Sequence, residues 1–81
     1  MIERYITLDG IDPVGFYGAG NVHLQMLKRL HSKLRIVARD NVIKAMGDEE
    51  ELDRFSKVVE LLVEYCNKYN SLNEEAIIDA V

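Results

Sequence analysis

Between Leu52 and Tyr69 the chain lays down one apolar stripe. Leu52, Phe55, Val58, Val59, Leu62, Cys66 and Tyr69 recur at the three- and four-residue spacing of a helix. So long a one-sided helix, in a chain of 81 residues, has to cover another layer, and this limits the available folds more than any other feature. Asp48, followed three residues later by Glu51, has the pattern of a capping box, and Glu49 and Glu50 add negative charge at the positive end of the helix dipole. The spacing predicts one helix over residues 48–69, broken by Asn70-Ser71.

The layer to be covered lies upstream, in residues 18–47. Residues 4–9 alternate, with Ile6 and Leu8 on one side and Tyr5 and Thr7 on the other, the pattern of a half-buried strand. Gly10 ends it, and residues 11–14 read as a loop in which Pro13 biases Asp12 towards an extended conformation. Gly15, Gly18 and Gly20 then surround Phe16 and Tyr17, a spacing that permits sharp turns and close backbone approach. Asn21 fits an N-cap for a helix over residues 21–32, with Leu24, Leu27, Leu30 and His31 at helical spacing and Met26 beside them. In residues 34–39, Leu34, Ile36 and Ala38 share one face while Arg35, Val37 and Arg39 share the other. Asp40-Asn41 is a two-residue hairpin turn, since both types tolerate positive φ, and residues 42–46 return antiparallel to Gly47. Ser71 to Glu74 repeats a capping pattern and opens a short apolar helix running to Val81.

The order is therefore β-α-β-β-α with a helical tail. The expected class is α+β: a three-stranded sheet carrying both main helices on one face. Its outer face would present Tyr5, Thr7 and the hairpin arginines.

Net charge is -4, but unevenly distributed. Residues 1–20 sum to -2, residues 21–47 to +5 and residues 48–81 to -7. A basic middle on a face of its own can meet an anionic partner that a uniformly acidic domain would repel. No apolar run approaches the roughly 18–20 residues that span a bilayer, so no membrane contact is expected. The N-terminus has neither the basic region nor the apolar core of a signal peptide, and the lone Cys66 cannot form an internal disulfide. The cytoplasm is the expected compartment.

No catalytic constellation is legible. There is no GxxxxGK[ST] phosphate loop. His23, His31 and Cys66, the only soft ligands, do not have metal-site spacing, and Cys66 falls on a different element from the histidines. The carboxylates of residues 48–53 are accounted for by capping, and no serine–histidine frame supports nucleophilic chemistry. Gly15-Phe16-Tyr17-Gly18 has the form of the GxxG loop with which KH domains hold a nucleic-acid backbone, but its inner positions are aromatic where a basic residue is usual. No helix is expected before it. Phe16 and Tyr17 are better read as pinning the segment to the core than as stacking on bases.

Residues 18–66 resemble the N-terminal domain of PhoH-family ATPases. The resemblance is carried by the turn Gly18-Ala19-Gly20-Asn21, by Leu24 and Leu27, by the block Lys33-Leu34-Arg35-Ile36-Val37-Ala38-Arg39, and by Val42-Ile43-Lys44 followed by Gly47-Asp48-Glu49-Glu50. Leu72-Asn73-Glu74-Glu75 looks like the family's linker. The resemblance implies a KH-like domain over residues 1–70, with residues 71–81 starting a linker helix towards a P-loop ATPase domain. It also implies a cytoplasmic parent protein linked to phosphate starvation and RNA metabolism. ATP and magnesium would belong to that ATPase domain, which has no counterpart here, so this chain is expected to be non-catalytic and to hold no cofactor. Where the family usually has a glycine in the hairpin turn, Asp40 stands.

Two functions follow as expectations. The first is contact with single-stranded RNA through Lys28, Lys33, Arg35, Arg39 and Lys44, with backbone amides from the turn containing Gly15, Gly18, Gly20 and Asn21. The second is docking onto the parent's ATPase domain, or pairing of subunits into a homo-oligomer. Clustered cations on one surface would favour the first, and a large exposed apolar patch the second.

Overall fold

Strand β3 (Val42–Gly47) runs through the centre of an antiparallel sheet, flanked by β1 (Ile2–Thr7) and β2 (Arg35–Arg39), in the order β1-β3-β2. The computed structural model describes Met1–Val81. Helix α1 (Pro13–Tyr17) and a 3-10 turn (Ala19–Asn21) lead into α2 (Val22–Leu30), and α3 (Glu49–Tyr69) and α4 (Glu74–Ala80) follow the sheet. The architecture is α+β, as the alternation and the helical stripe require. No helix is long and apolar enough to cross a membrane.

Period-two alternation decides which face of the sheet is wet. On β3, Ile43 and Ala45 are fully buried while Val42, Lys44 and Met46 between them are only partly so. Ile36 from β2, Leu34 just before it and Leu8 just beyond β1 join Ile43 and Ala45 inside. Helix α3 lies against β1 and β3, and α2 against β2, so both main helices cover this one face. Leu52, Phe55, Val58, Val59 and Leu62 supply the buried side of α3, and Leu24, Met26 and Leu27 that of α2. Each such side chain stabilises the fold by about 1.5–3 kcal/mol.

The stripe on α3 stops being core earlier than its spacing predicts. Cys66 is half-buried and Tyr69 is 55% exposed, its ring 4.6 Å from that of Tyr65. Length explains this: a 21-residue helix extends about 31 Å, whereas six-residue strands extend only about 20 Å, so the end of α3 overhangs the sheet.

Several local expectations are corrected. Residues 13–17 form a helix and not a loop, because Asp12 accepts a hydrogen bond from the Val14 amide at 3.1 Å and Pro13 takes the first helical position. Asn21 makes no side-chain cap to α2; it sits at φ 59°, closing the 3-10 turn. Helix α2 ends at Leu30, which is 43% exposed, while His31 turns inward against Phe55 with ring centroids 5.1 Å apart. Asp48 precedes α3 in extended conformation without a side-chain cap, so no capping box forms. Asn73, not Ser71, caps α4, accepting from the Ala76 amide at 2.8 Å. In the hairpin only Asp40 has positive φ.

The tail also belongs to the packed domain. Helix α4 lies against α2 and α3, with Ile77 fully buried and Leu72 nearly so. Residues 71–81 are therefore part of the same core as residues 1–70.

Phe55 is completely buried at the centre of this seam. Phe55→Ala should cost about 3–5 kcal/mol in urea unfolding, a large share of the roughly 5–15 kcal/mol that typically stabilises a domain. A variant that unfolds at the parent's urea midpoint would show that the seam lies elsewhere.

Candidate nucleic-acid interface

No helix packs on the outer face of the sheet, and its side chains are fixed by register. Three cross-strand rows read Glu3, Met46, Arg35; then Tyr5, Lys44, Val37; then Thr7, Val42, Arg39. Side chains directly opposite each other sit about 4.5–5.5 Å apart at Cβ, with diagonal neighbours still within reach of long side chains. Lys44 is thus the diagonal neighbour of both Arg35 and Arg39, and the three cations form one group. Tyr5 is 62% exposed and Val37 47% exposed among them.

These cations are not equally free. Lys44 Nζ lies 3.7 Å from Glu3 Oε1 and 5.8 Å from the centre of the Tyr5 ring. Arg35 and Arg39 are exposed, and no carboxylate comes within 4.0 Å of either guanidinium. The inward Arg4 is used differently, donating to Asp53 at 2.7 Å and to Ser56 at 3.2 Å and so tying β1 to α3.

The acidic half of the chain lies across the sheet from these arginines. Glu50 and Glu51 are bridged by Arg54 at 3.0 and 3.4 Å, and α3 runs along the covered face. Arg39 sits at the hairpin tip, five residues of β3 away from Gly47 and the start of α3. That separation is about 17 Å, beyond the ~10 Å screening length at 0.1 M salt.

The glycine turn meets the sheet at this same tip. The Tyr17 hydroxyl donates to the Asp40 carbonyl at 2.9 Å, and the Leu8 amide donates to the Asn41 carbonyl at 2.7 Å. Gly18, Gly20, Asn21 and Asp40 consequently line one shallow depression. Gly18 has φ +82°, and a Cβ there would fall 2.8 Å from His23 Nδ1 and 2.9 Å from Val22 Cγ1. Only glycine fits both the conformation and the space. The His23 ring packs down because its Nδ1–H can donate to the Phe16 carbonyl, 3.1 Å away.

Of the residues singled out by sequence, Arg35, Arg39 and Lys44 share one face, and Gly18, Gly20 and Asn21 stand beside its hairpin end. Lys28 is half-buried on α2, in the layer behind the sheet, and Lys33 lies in the turn before β2. Gly15 is inside α1, so Gly15-Phe16-Tyr17-Gly18 is not an open loop; Phe16 is fully buried and Tyr17 nearly so. Sequence reasoning missed the Tyr17 hydroxyl, whose partner is 23 residues away and leaves no local signal. It also missed α1, which Asp12-Pro13 could have signalled.

Three groups titrate away from their ordinary values. Burial, and secondarily the Asp40 carboxylate, push the Tyr17 phenol up; burial and then Asp12 push the Cys66 thiol up. Burial pulls the His31 imidazole down, opposed in part by Glu51, and its Nε2 has no hydrogen-bond partner. His23 lies in α2, His31 at the C-terminal cap of the same helix and Cys66 in α3, and no three His, Cys, Asp or Glu side chains converge as a metal site.

No family model, curated protein or solved structure matches the chain. The residues and their geometry therefore carry the functional reading.

His31 yields a pH prediction. Its folded pKa lies below the unfolded value, so its contribution to stability is complete above about pH 6.5 and is lost as pH falls, when the unfolded chain takes up a proton that the folded one resists. The limiting slope is about 1.4 kcal/mol per pH unit. Urea unfolding between about pH 7.5 and pH 5 should show this loss in the parent and a flatter profile in His31→Leu. Identical slopes in both would contradict it.

Proposed function

We propose that the chain is a non-catalytic, cytoplasmic accessory domain that contacts single-stranded RNA through the outer face of its sheet and the adjoining glycine turn. The observation that carries this reading is the register, which groups Arg35, Arg39 and Lys44 around Tyr5 on a helix-free face while α3 lies behind the sheet. Phosphate contacts from such cations supply most of the affinity of non-specific nucleic-acid binding.

The resemblance to the N-terminal domain of PhoH-family ATPases fits this reading. A KH domain places its glycine loop after a helix, and here α1 precedes the Gly18–Asn21 turn and α2 follows it. In the proposed parent, ATP and magnesium belong to a separate P-loop domain, and this domain positions RNA for it. Lys28 and Lys33 would then meet an RNA strand passing round the edge of β2.

A second reading has its own support. Leu30, Leu61 and Val81, each 43–58% exposed, edge a cleft between α2, α3 and α4 on the helical side of the molecule. This surface suits docking to a partner domain or to a second copy. It does not overlap the sheet face.

Salt dependence tests the RNA proposal. Each phosphate contacted on a single strand should contribute a slope of about -0.7 to the log–log plot of affinity against salt. Three or four contacts predict a loss of roughly 20–50-fold between about 50 and 200 mM salt. Replacing Arg35 and Arg39 by Gln should make the slope shallower with little change in melting temperature, because exposed arginines add little stability. Absence of binding to labelled single-stranded RNA at low salt and millimolar protein would leave docking as the better account.

A further inference from the structure

The open sheet face carries a cleft of about 460 Å³ at its hairpin end, and its lining is not that of a simple phosphate track. One wall is the exposed ring of Tyr5. Val37 and Val42 supply its apolar lining, and Lys44, Arg39, Asn41 and the acidic Asp40 its polar lining. A surface that met only the sugar-phosphate backbone would need the cations and have no use for an aromatic wall over an apolar floor.

Resting on the RNA reading above, we propose that this cleft is a nucleotide subsite that takes one unpaired base, stacked on Tyr5, with its phosphate held by Arg39. Lys44 Nζ stands over one face of the ring, 5.8 Å from its centre, so the base would stack on the other; Tyr5 is 62% exposed, and its hydroxyl makes a single 3.4 Å contact, to Glu3 on its own strand. Stacking needs an accessible π-face and tolerates any base, which suits a site with few fixed polar groups. Val37 and Val42 give the lower edge of the base an apolar bed.

Charge assigns the phosphate. Lys44 is already engaged by Glu3 and lies over the Tyr5 ring, whereas Arg39 in the neighbouring row has no carboxylate partner. Its planar fork can bind two phosphate oxygens at once. Asn41, exposed at the turn, can both donate to and accept from a base edge. The Tyr17 hydroxyl holds the Asp40 carbonyl, and so fixes the turn on which Asn41 is carried. The site selects against duplexes, because the bases of a duplex stack on one another and offer no free face to Tyr5.

The test compares three probes on the intact chain: a labelled single-stranded oligouridylate, an abasic ribose-phosphate oligomer of equal length and charge, and inorganic polyphosphate. The parent should bind the oligouridylate about 5- to 150-fold more tightly than the abasic oligomer, the range expected for one stacked base. Tyr5→Ser should lose that advantage, leaving abasic and polyphosphate binding and the salt slope unchanged, and Tyr5→Phe should restore it. Equal binding of base-bearing and abasic oligomers, or a Tyr5→Ser variant that binds like the parent, would overturn the subsite while leaving backbone contact by the arginines intact. Binding of neither oligomer at low salt would instead overturn the RNA reading, and the subsite with it.

Discussion

The burial of α3 against the inner side of β3 is the contact on which everything else in the molecule depends. It needs a central strand whose inward residues are small enough to let a helix lie close, and Ala45 and Gly47 provide this on either side of the outward Met46. A side chain at position 47 would begin 2.5 Å from Leu34 Cδ2, so the end of the strand has no spare volume. Once Ile43 and Ala45 face α3, strand parity forces Val42, Lys44 and Met46 to the other side. The exposed face is thus a consequence of the core.

The same layering resolves the electrostatics. A chain of net charge -4 is a poor ligand for an anion if its charges are evenly mixed. Here α3 carries six of the fourteen acids on the helical side of the sheet, where Arg4 engages Asp53 and Arg54 engages Glu50 and Glu51. The outer face keeps two arginines without carboxylate partners. Because exposed charges more than about 10 Å apart are largely screened at 0.1 M salt, the hairpin end of the sheet responds mainly to its own charges, Arg39, Lys44 and the turn's Asp40.

Much of this was legible in the sequence, for identifiable reasons. The period of Leu52, Phe55, Val59 and Leu62 and the alternation through residues 34–46 are signals repeated over many residues, and a two-residue turn at Asp40-Asn41 fixes the register that groups Arg35, Arg39 and Lys44. Features decided by one or two residues were not legible. The side chains of Asn21 and Asp48 could cap, but whether they do depends on backbone angles and neighbouring packing, and neither does. Asp12-Pro13 can open either a loop or a helix; here it caps a helix whose Phe16 and Tyr17 are buried, and that burial is a tertiary property. Lys28 and Lys33 could not be assigned to a face because the layer that carries them is a tertiary property. The bond from Tyr17 to Asp40 joins two segments with nothing local in common.

Mapping amide chemical shifts by NMR during titration with a single-stranded oligoribonucleotide tests the central claim most directly. The perturbed amides should be those of Tyr5, Val37, Arg39, Asn41 and Lys44 together with the Gly18–Asn21 turn, while the exposed side of α3 stays silent. Perturbations confined to the cleft around Leu61 and Val81, or absent throughout, would contradict the assignment of the sheet's open face as the functional surface.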